Sequence, residues 1–198
     1  GVLGTGQVKA LSTIAINNLT TIQLAGLISL QVGALTTAQL NALTTTNVAA
    51  LVDEQIDGLT QTQIGGLDTT TFGTLSGLQL AGMTGTQLRG INLTDMAAIT
   101  TSQLSGLSAA QIGSFLATQV NAMPATIIST LTTAQLSGLT STQIGTVSTT
   151  SFGALSSVQV SLLTSTQIKA LAATALAIMT TGQLSGLYST QVGYLSST

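Results

Sequence analysis

The feature that most constrains this chain is a strict repeat of eight residues. The 192 residues from Gln7 to Thr198 make 24 octads without insertion or deletion, and 17 of these octads begin with Gln. We call the place of this glutamine the register position. A fixed length with tolerant polar positions indicates that each octad is one geometrical unit of a repeat architecture. The octads without a register glutamine have Ala15, Asn47, Thr71, Asp95, Ile127, Ser151 and Ala175 there.

Each octad also carries two apolar positions. The residue after the register position is always apolar, as at Val8 and Leu136, and so is the fourth residue after it, as at Leu11 and Leu139. Ser or Thr usually follows the second apolar residue, and small residues such as Ser137-Gly138 lie between the two. The consensus is Leu-Thr-Thr-x-Gln-Leu/Ile-small-Gly/Ala. Every octad therefore brings two residues to a shared core.

Two of the three possible backbone conformations fit this pattern poorly. A continuous helix turns by about 100° per residue, so an eight-residue repeat would wind its apolar stripe around the helix within about five octads. A β-solenoid suits the abundant Thr, Val and Ile. However, the apolar positions are alternately three and five residues apart, and an odd spacing puts them on opposite faces of a strand. Because corners could correct this, a β-solenoid stays open as the alternative.

The Thr-x-x-Gln sequence favours a third conformation, a short capped helix. Thr132 and Gln135 have the spacing of a capping box, and Leu131 and Leu136 have the spacing of a hydrophobic staple. The small pair Ser137-Gly138 would let the helix stop and the chain turn. The sequence therefore predicts an all-α solenoid of very short capped helices, one per octad, which persist only by packing on neighbours. The same box is found in the ranges 36–39, 60–63, 140–143 and 164–167.

A second period of 80 residues, or ten octads, overlies the first. It relates Phe72 to Phe152, and it relates all the basic residues to one another. The register exceptions from residue 15 to residue 95 are spaced by 32, 24 and 24 residues, so three fall in every ten octads. This spacing predicts about 3.3 octads per turn, with the exceptions on one side of the coil. We expect residues 1–198 to form a single repeat solenoid that is part of a longer chain or polymer, because neither end carries a polar cap.

The composition excludes most kinds of chemistry. The chain has no His and no Cys, and only 4% of its residues are charged. The usual bases, thiol nucleophiles and zinc ligands are therefore missing, and three basic residues cannot make a nucleic-acid surface. No apolar run approaches the length of about 18 residues that a membrane span requires. We therefore expect no enzyme activity, no cofactor, no catalytic, cofactor-binding or metal-binding residues, no nucleic-acid partner and no membrane span.

The acidic residues are interpreted as parts of helix ends. Asp53, Glu54 and Asp57 form the only local concentration of charge, and they lack the spacing of a calcium-binding loop. Acidic residues are favourable near the start of a helix, so a solvated helix start explains them. Asp68 occupies a cap position.

The remaining charged residues are predicted to be isolated on the surface. Such charges contribute less than about 1 kcal/mol each. Ion pairs or subunit contacts are the alternative role. These residues are Asp95, Lys9, Arg89 and Lys169.

The octads resemble a known kind of repeat. The stretches 131–136, LTTAQL, and 139–144, LTSTQI, resemble the tandem LTTAQ(I/V/L) octapeptide repeats of large secreted or surface, adhesin-like proteins of bacteria. The resemblance extends over essentially the whole chain, with departures such as Gly77, Gly85 and Leu93. It implies an extracellular or cell-surface location and an adhesin-like or matrix-like role, and it transfers no catalytic residue.

These observations lead to two functional hypotheses. The first is a structural extracellular protein that forms or extends a filament, sheath or stalk through solenoid stacking and lateral self-association. A net charge of only −2 gives little self-repulsion to oppose such association. The second is an adhesin-like binding module whose rows of Thr, Ser and Gln hold carbohydrate or ice. An enzyme is the least favoured class, because no acid/base pair or nucleophile is present.

Overall fold

The computed structural model describes residues 3–195, and this part of the chain is a succession of short α-helices. Each helix has four to seven residues and belongs to one octad, and no strand occurs among the described residues. The predicted all-α solenoid is thus confirmed, and the β-solenoid alternative is wrong. None of the helices in residues 3–195 is long and apolar enough to cross a membrane.

The chain divides into two compact units, unit 1 (Gly1–Gly106) and unit 2 (Leu107–Thr198). That residues 1–198 form a single solenoid stays a prediction. The helices of unit 1 are α1 (Thr5–Ala10), α2 (Thr13–Asn17), α3 (Thr21–Ala25), α4 (Ser29–Val32), α5 (Thr37–Asn41), α6 (Thr45–Ala49), α7 (Asp53–Asp57), α8 (Gln61–Gly65), α9 (Thr69–Thr74), α10 (Gly77–Gly82), α11 (Gly85–Leu88), α12 (Leu93–Ala98) and α13 (Thr101–Ser105). Those of unit 2 are α14 (Ala109–Ser114), α15 (Ala117–Ala122), α16 (Ala125–Ile128), α17 (Thr133–Gly138), α18 (Ser141–Thr146), α19 (Thr149–Gly153), α20 (Ser157–Ser161), α21 (Ser165–Lys169), α22 (Ala173–Ala177), α23 (Thr181–Ser185) and α24 (Ser189–Leu195).

The helices begin as the capping box predicts. Before α17, Thr132 is extended at ψ 161° and its hydroxyl accepts the backbone N–H of Gln135 at 3.2 Å, while the Gln135 Oε1 accepts the N–H of Thr132 at 3.0 Å. Leu131 and Leu136, the predicted staple, are both buried. The same reciprocal bonds precede α5, α8, α18 and α21, where they were predicted. Local sequence therefore sets where each helix starts.

The helices end at the small residues, as predicted, but without a left-handed glycine. The N–H of Leu139 donates to the carbonyl of Leu136 at 3.1 Å, which closes a tight last turn, and no described residue has a positive φ. Gly138 is the last residue of α17, so the helix stops at the predicted pair Ser137-Gly138, and the equivalent Gly106 and Gly186 are C-caps of their helices. A Cβ at Gly138 would come within 2.1 Å of the Ala109 carbonyl oxygen. The glycine is small because the backbone of another turn approaches it.

Helices three places apart in the chain pack on one another within each unit. In unit 1, α6 packs on α9 and α9 packs on α12; in unit 2, α16 packs on α19 and α19 on α22. We call each such set a column. Contacts between successive turns join residues 25 to 31 apart. The packing of helices three places apart gives three octads per turn and not the predicted 3.3. The predicted clustering of the exceptions on one side holds for Asn47, Thr71 and Asp95 in column α6–α9–α12 and for Ile127, Ser151 and Ala175 in column α16–α19–α22. It fails for Ala15, because α2 packs on α5 and lies outside that column of unit 1.

The two apolar positions of the octad form the core of each unit. In a typical octad, Leu136 and Leu139 are 2% and 5% exposed. Phe72, Phe115 and Phe152 stand at core positions and are buried. Each helix is far too short to persist alone, so this burial against neighbouring turns is what stabilises it.

Candidate functional site

The register glutamine completes the N-cap of every octad that contains one. The Oε1 of each of the 17 register glutamines accepts the backbone N–H of the N-cap residue, at 2.6–3.2 Å. The bond forms even where Ile28, Val52 or Leu116 is the N-cap and offers no side-chain acceptor. The glutamine is therefore the constant half of the capping box, and the Ser/Thr hydroxyl is the variable half.

The same glutamine also reaches the preceding turn. The Nε2 of Gln87 donates to the carbonyls of Ile56 and Leu59, both at 2.8 Å and 31 and 28 residues earlier in the chain. Leu59 follows the end of α7, where the last carbonyls of a helix have no donor within it. Gln167 makes the equivalent two bonds in unit 2. One side chain thus satisfies the start of its own helix and the end of a helix one turn away.

We call the glutamines that make this bond between turns the glutamine ladder. They are 2–8% exposed. The expectation that rows of Gln help to form a ligand-binding surface is therefore wrong, because both ends of each carboxamide are used inside the fold. The ladder includes Gln31, Gln39, Gln55, Gln63, Gln79, Gln87 and Gln103 in unit 1, and Gln135, Gln143, Gln159, Gln167, Gln183 and Gln191 in unit 2.

Asparagine makes a second kind of link between turns that the sequence interpretation missed. The Nδ2 of Asn41 donates to the Gly66 carbonyl at 3.0 Å, and its Oδ1 accepts the N–H of Asp68 at 3.0 Å. Asn121, 80 residues later, makes the same pair of bonds in unit 2. The signal was present in the sequence, since the 80-residue period relates the two asparagines.

The acidic residues lie mostly where they were predicted. Asp53 and Glu54 occupy the first turn of α7, Asp57 ends that helix, and all three are exposed. Asp68 is the N-cap of α9, and its Oδ1 accepts the N–H of Thr71 at 2.8 Å. No group of three potential metal ligands comes together in residues 3–195.

Asp95 contradicts its predicted place on the surface, because it is only 1% exposed. Its Oδ2 accepts a hydrogen bond from the Nδ2 of Asn92 at 2.8 Å, and its Oδ1 is buried without a hydrogen-bond partner among the described residues. Burial raises the pKa of this carboxyl above its ordinary value, and the charge of Asp68 acts in the same direction. The neighbouring Thr69 hydroxyl and the Asn92 bond oppose this change in pKa.

The basic residues are exposed, as predicted. Lys9 and Arg89 lie on the surface of unit 1. Lys169 lies on the surface of unit 2, and its Nζ stands over the ring of Tyr194 at 4.6 Å from the centroid. Such cation–π contacts contribute about 0.5–1 kcal/mol at exposed sites.

Unit 1 also carries a shallow groove with a volume of about 570 Å³. Its walls include the side chains of Thr5, Lys9, Thr37, Thr60 and Thr62. With the glutamines buried, threonine hydroxyls are the main polar groups of this groove.

The ladder and caps can be compared with known repeats. The family model described as the ALTTAQ repeat matches residues 1–37 and 32–70. Residues 1–70 match the ALTTAQ repeat family. This finding confirms the resemblance to tandem LTTAQ-type octads. The octads beyond residue 70 keep the bonding of the ALTTAQ-matched ones, since Gln167 links turns as Gln55 does. No curated protein and no solved structure matches the chain.

Proposed function

We propose that the chain is a structural repeat protein of the cell exterior that forms or extends a filament, sheath or stalk by adding solenoid turns. The observation that carries the proposal is the polarity of the glutamine ladder. Within each unit, successive turns direct carboxamide donors toward the turn before and carbonyl acceptors toward the turn after. A turn built in this way is complementary to any other such turn.

The first described turn of unit 1 presents unused donors. Gln7 and Gln23 are exposed, and their Nε2 groups donate to no described residue, whereas the ladder glutamines from Gln31 onward all donate to a carbonyl. Leu11 and Leu27 at the second apolar position are half-buried in this turn, while Leu35 in the next turn is buried. In this turn, therefore, the glutamine donors lack acceptors and the apolar side chains are only partly buried.

The last described turn of unit 2 presents the matching acceptors. The carbonyls of Leu171, Met179 and Leu187 stand at the octad position of the Leu139 carbonyl, which accepts a hydrogen bond from Gln167. Among the described residues these three carbonyls accept no hydrogen bond. Leu184 and Val192, at core positions of their octads, are 51% and 46% exposed. This face can accept amide donors and bury apolar side chains at the same time.

A further turn, from the same polypeptide or a second copy, would satisfy both faces. Burial of apolar surface stabilises such a contact by about 25 cal/mol per Å², and each buried carbonyl that gains a donor avoids a penalty of about 1–3 kcal/mol. The net charge of −2 provides little repulsion against association. The role is thus mechanical, and we place it outside the cell on the strength of the resemblance to surface-protein repeats. It requires no catalytic residue.

Electron microscopy and sedimentation of the purified 198-residue chain at neutral pH test this proposal. We expect end-to-end assemblies whose length increases with protein concentration. The double variant Gln7→Ala, Gln23→Ala removes the unused donors and should shorten the assemblies. Gln61→Ala, which changes the only glutamine outside the register position, should leave them unchanged. Unassociated particles at every concentration, or equal effects of the two variants, would contradict the proposal.

The groove of unit 1 supports a second candidate, an adhesin-like module that binds carbohydrate or ice through threonine hydroxyls. Thr62 is exposed in this groove, and Thr142 stands at the equivalent exposed position of unit 2, 80 residues later and outside it. Glycan binding or thermal hysteresis by monomers would support this function. Thr62→Val should weaken it, and Thr142→Val is the matched control. No binding and no hysteresis by the monomer would count against it.

A further inference from the structure

The column α6–α9–α12 of unit 1 lacks the glutamine ladder. Its register residues are Asn47, Thr71 and Asp95, and all three are buried. Asp95 is the one charged residue among the buried side chains of residues 3–195. A carboxylate buried at this position loses its hydration. The free-energy cost of burying it depends on whether hydrogen bonds from the surrounding groups replace the lost water.

Asn47 shows what a shorter amide does at this position. Its Nδ2 donates to the Leu19 carbonyl at 2.7 Å, 28 residues earlier, which is the acceptor that a ladder glutamine would use. The carbonyl equivalent to that of Leu19 for Asp95 is the carbonyl of Leu67. An ionised Asp95 cannot donate to it, because a carboxylate has no hydrogen.

A neighbouring side chain replaces the missing donor only in part. The Nδ2 of Asn92 donates to the Gly65 carbonyl at 3.1 Å, to the Oδ2 of Asp95 at 2.8 Å and, at 3.5 Å, to the Leu67 carbonyl itself. The Oδ1 of Asp95 stays buried without a partner. A proton on Oδ1 would remove the charge and turn this unpaired acceptor into a hydrogen-bond donor. Asn47 in the same column provides such a donor with its Nδ2.

The charges around Asp95 do not favour its ionised form. Helix α9 packs on α12 within unit 1, and its N-cap Asp68 is the charged group that faces Asp95 from there. Helix α12 carries no other ionisable side chain. Arg89, at the C-cap of α11, has an exposed side chain. The charge that acts on the pKa of Asp95 is therefore that of another carboxylate, Asp68, and it raises this pKa.

We propose that Asp95 is a pH-sensitive switch in unit 1: its protonated carboxyl holds α12 against α9, and loss of the proton loosens this contact. Burial raises the pKa of Asp95 above its ordinary value of 3.8. Between 3.8 and the raised value, the folded state binds a proton that the unfolded state has lost. Stability is therefore greatest below the unfolded pKa and falls as pH rises through this window.

The test compares wild type, Asp95→Asn and Asp57→Asn by chemical denaturation from acid to neutral pH. Asp57 is an exposed carboxyl of the same unit and serves as the matched control. Relative to Asp95→Asn, the unfolding equilibrium constant of wild type should rise by up to about tenfold per pH unit within the window. The unfolding equilibrium constant of Asp57→Asn should rise with pH as that of wild type does. Identical pH dependence of wild type and Asp95→Asn would overturn the proposal.

Two measurements need no variant. The ¹³C chemical shift of the Asp95 carboxyl should titrate with a midpoint above 3.8 in the unmodified chain, and a midpoint at or below 3.8 would overturn the proposal. Hydrogen exchange adds the location of the effect. The opening of α12, monitored at the Met96 N–H that donates to the Asn92 carbonyl at 3.0 Å, should become more frequent across the same pH window than that of α5. Equal changes in both helices would show that no switch acts at α12.

Discussion

At the scale of the residue, the fold depends on the length of the glutamine side chain. Gln87 accepts the Thr84 N–H at 2.8 Å and donates to two carbonyls of another turn. Asn47 is one methylene shorter; it reaches the Leu19 carbonyl but makes no bond to the N–H of its own N-cap, Thr44. Only glutamine combines the two functions, which explains why it holds 17 of the 24 register positions.

Gln87→Ala should therefore be strongly destabilising. The variant leaves the part-buried N–H of Thr84 and the buried carbonyl of Leu59 without partners, and a buried group without a partner costs about 1–3 kcal/mol. We expect the free energy of unfolding to fall by about 3 kcal/mol in denaturant titrations. Gln61→Ala, at an exposed position of α8, should change it by less than about 0.5 kcal/mol. Similar losses in the two variants would show that the glutamine bonds contribute little.

At the scale of the element, the helices are short because two conditions limit them. A new N-cap occurs every eight residues, and the C-terminal part of some helices, such as α7 and α17, lies against the backbone of a neighbouring turn. At Gly58, the C-cap of α7, a Cβ would lie 2.1 Å from the Ser29 carbonyl oxygen. At Gly73, inside α9, a Cβ would meet nothing within 4 Å.

These two glycines give opposite predictions for the same substitution. Gly58→Ala should force the turns apart and lower the melting temperature, at a cost of about 3 kcal/mol. Gly73→Ala should raise the melting temperature slightly, because alanine favours a helix over glycine by up to about 1 kcal/mol. Thermal unfolding followed by circular dichroism measures both. A destabilising Gly73→Ala, or a neutral Gly58→Ala, would contradict the packing described here.

The incomplete caps predict a stabilising change. Val52 is the N-cap of α7, is 50% exposed and offers no acceptor to the helix. Val52→Thr adds the hydroxyl found at most other N-caps and should raise the free energy of unfolding by about 1 kcal/mol. Val158→Thr makes the same change at an exposed position inside α20 and should have almost no effect. Equal effects would mean that the hydroxyl acts through general polarity and not as a cap.

At the scale of the whole molecule, the sequence predicts the local geometry of each helix but not the contacts between residues that are distant in the chain. The box of Thr132 and Gln135 spans three residues, so its spacing is visible in the octad. The second role of a glutamine is to bond carbonyls 28 and 31 residues earlier, as Gln167 does with Leu139 and Leu136, and nothing in one octad specifies it. For the same reason the burial of Asp95 was not predicted, since the place of a register residue inside the coil depends on how the turns stack.

The central claim is that the register glutamines join successive turns inside the solenoid, and hydrogen exchange of their side-chain carboxamides tests it most directly. Nuclear magnetic resonance resolves Gln and Asn side-chain NH₂ protons individually once they are assigned. The protons of ladder glutamines such as Gln87 and Gln167 should exchange slowly, and those of the exposed Gln61 should exchange at the rate of a free amide. Exchange at that same free rate for the ladder glutamines would contradict the account.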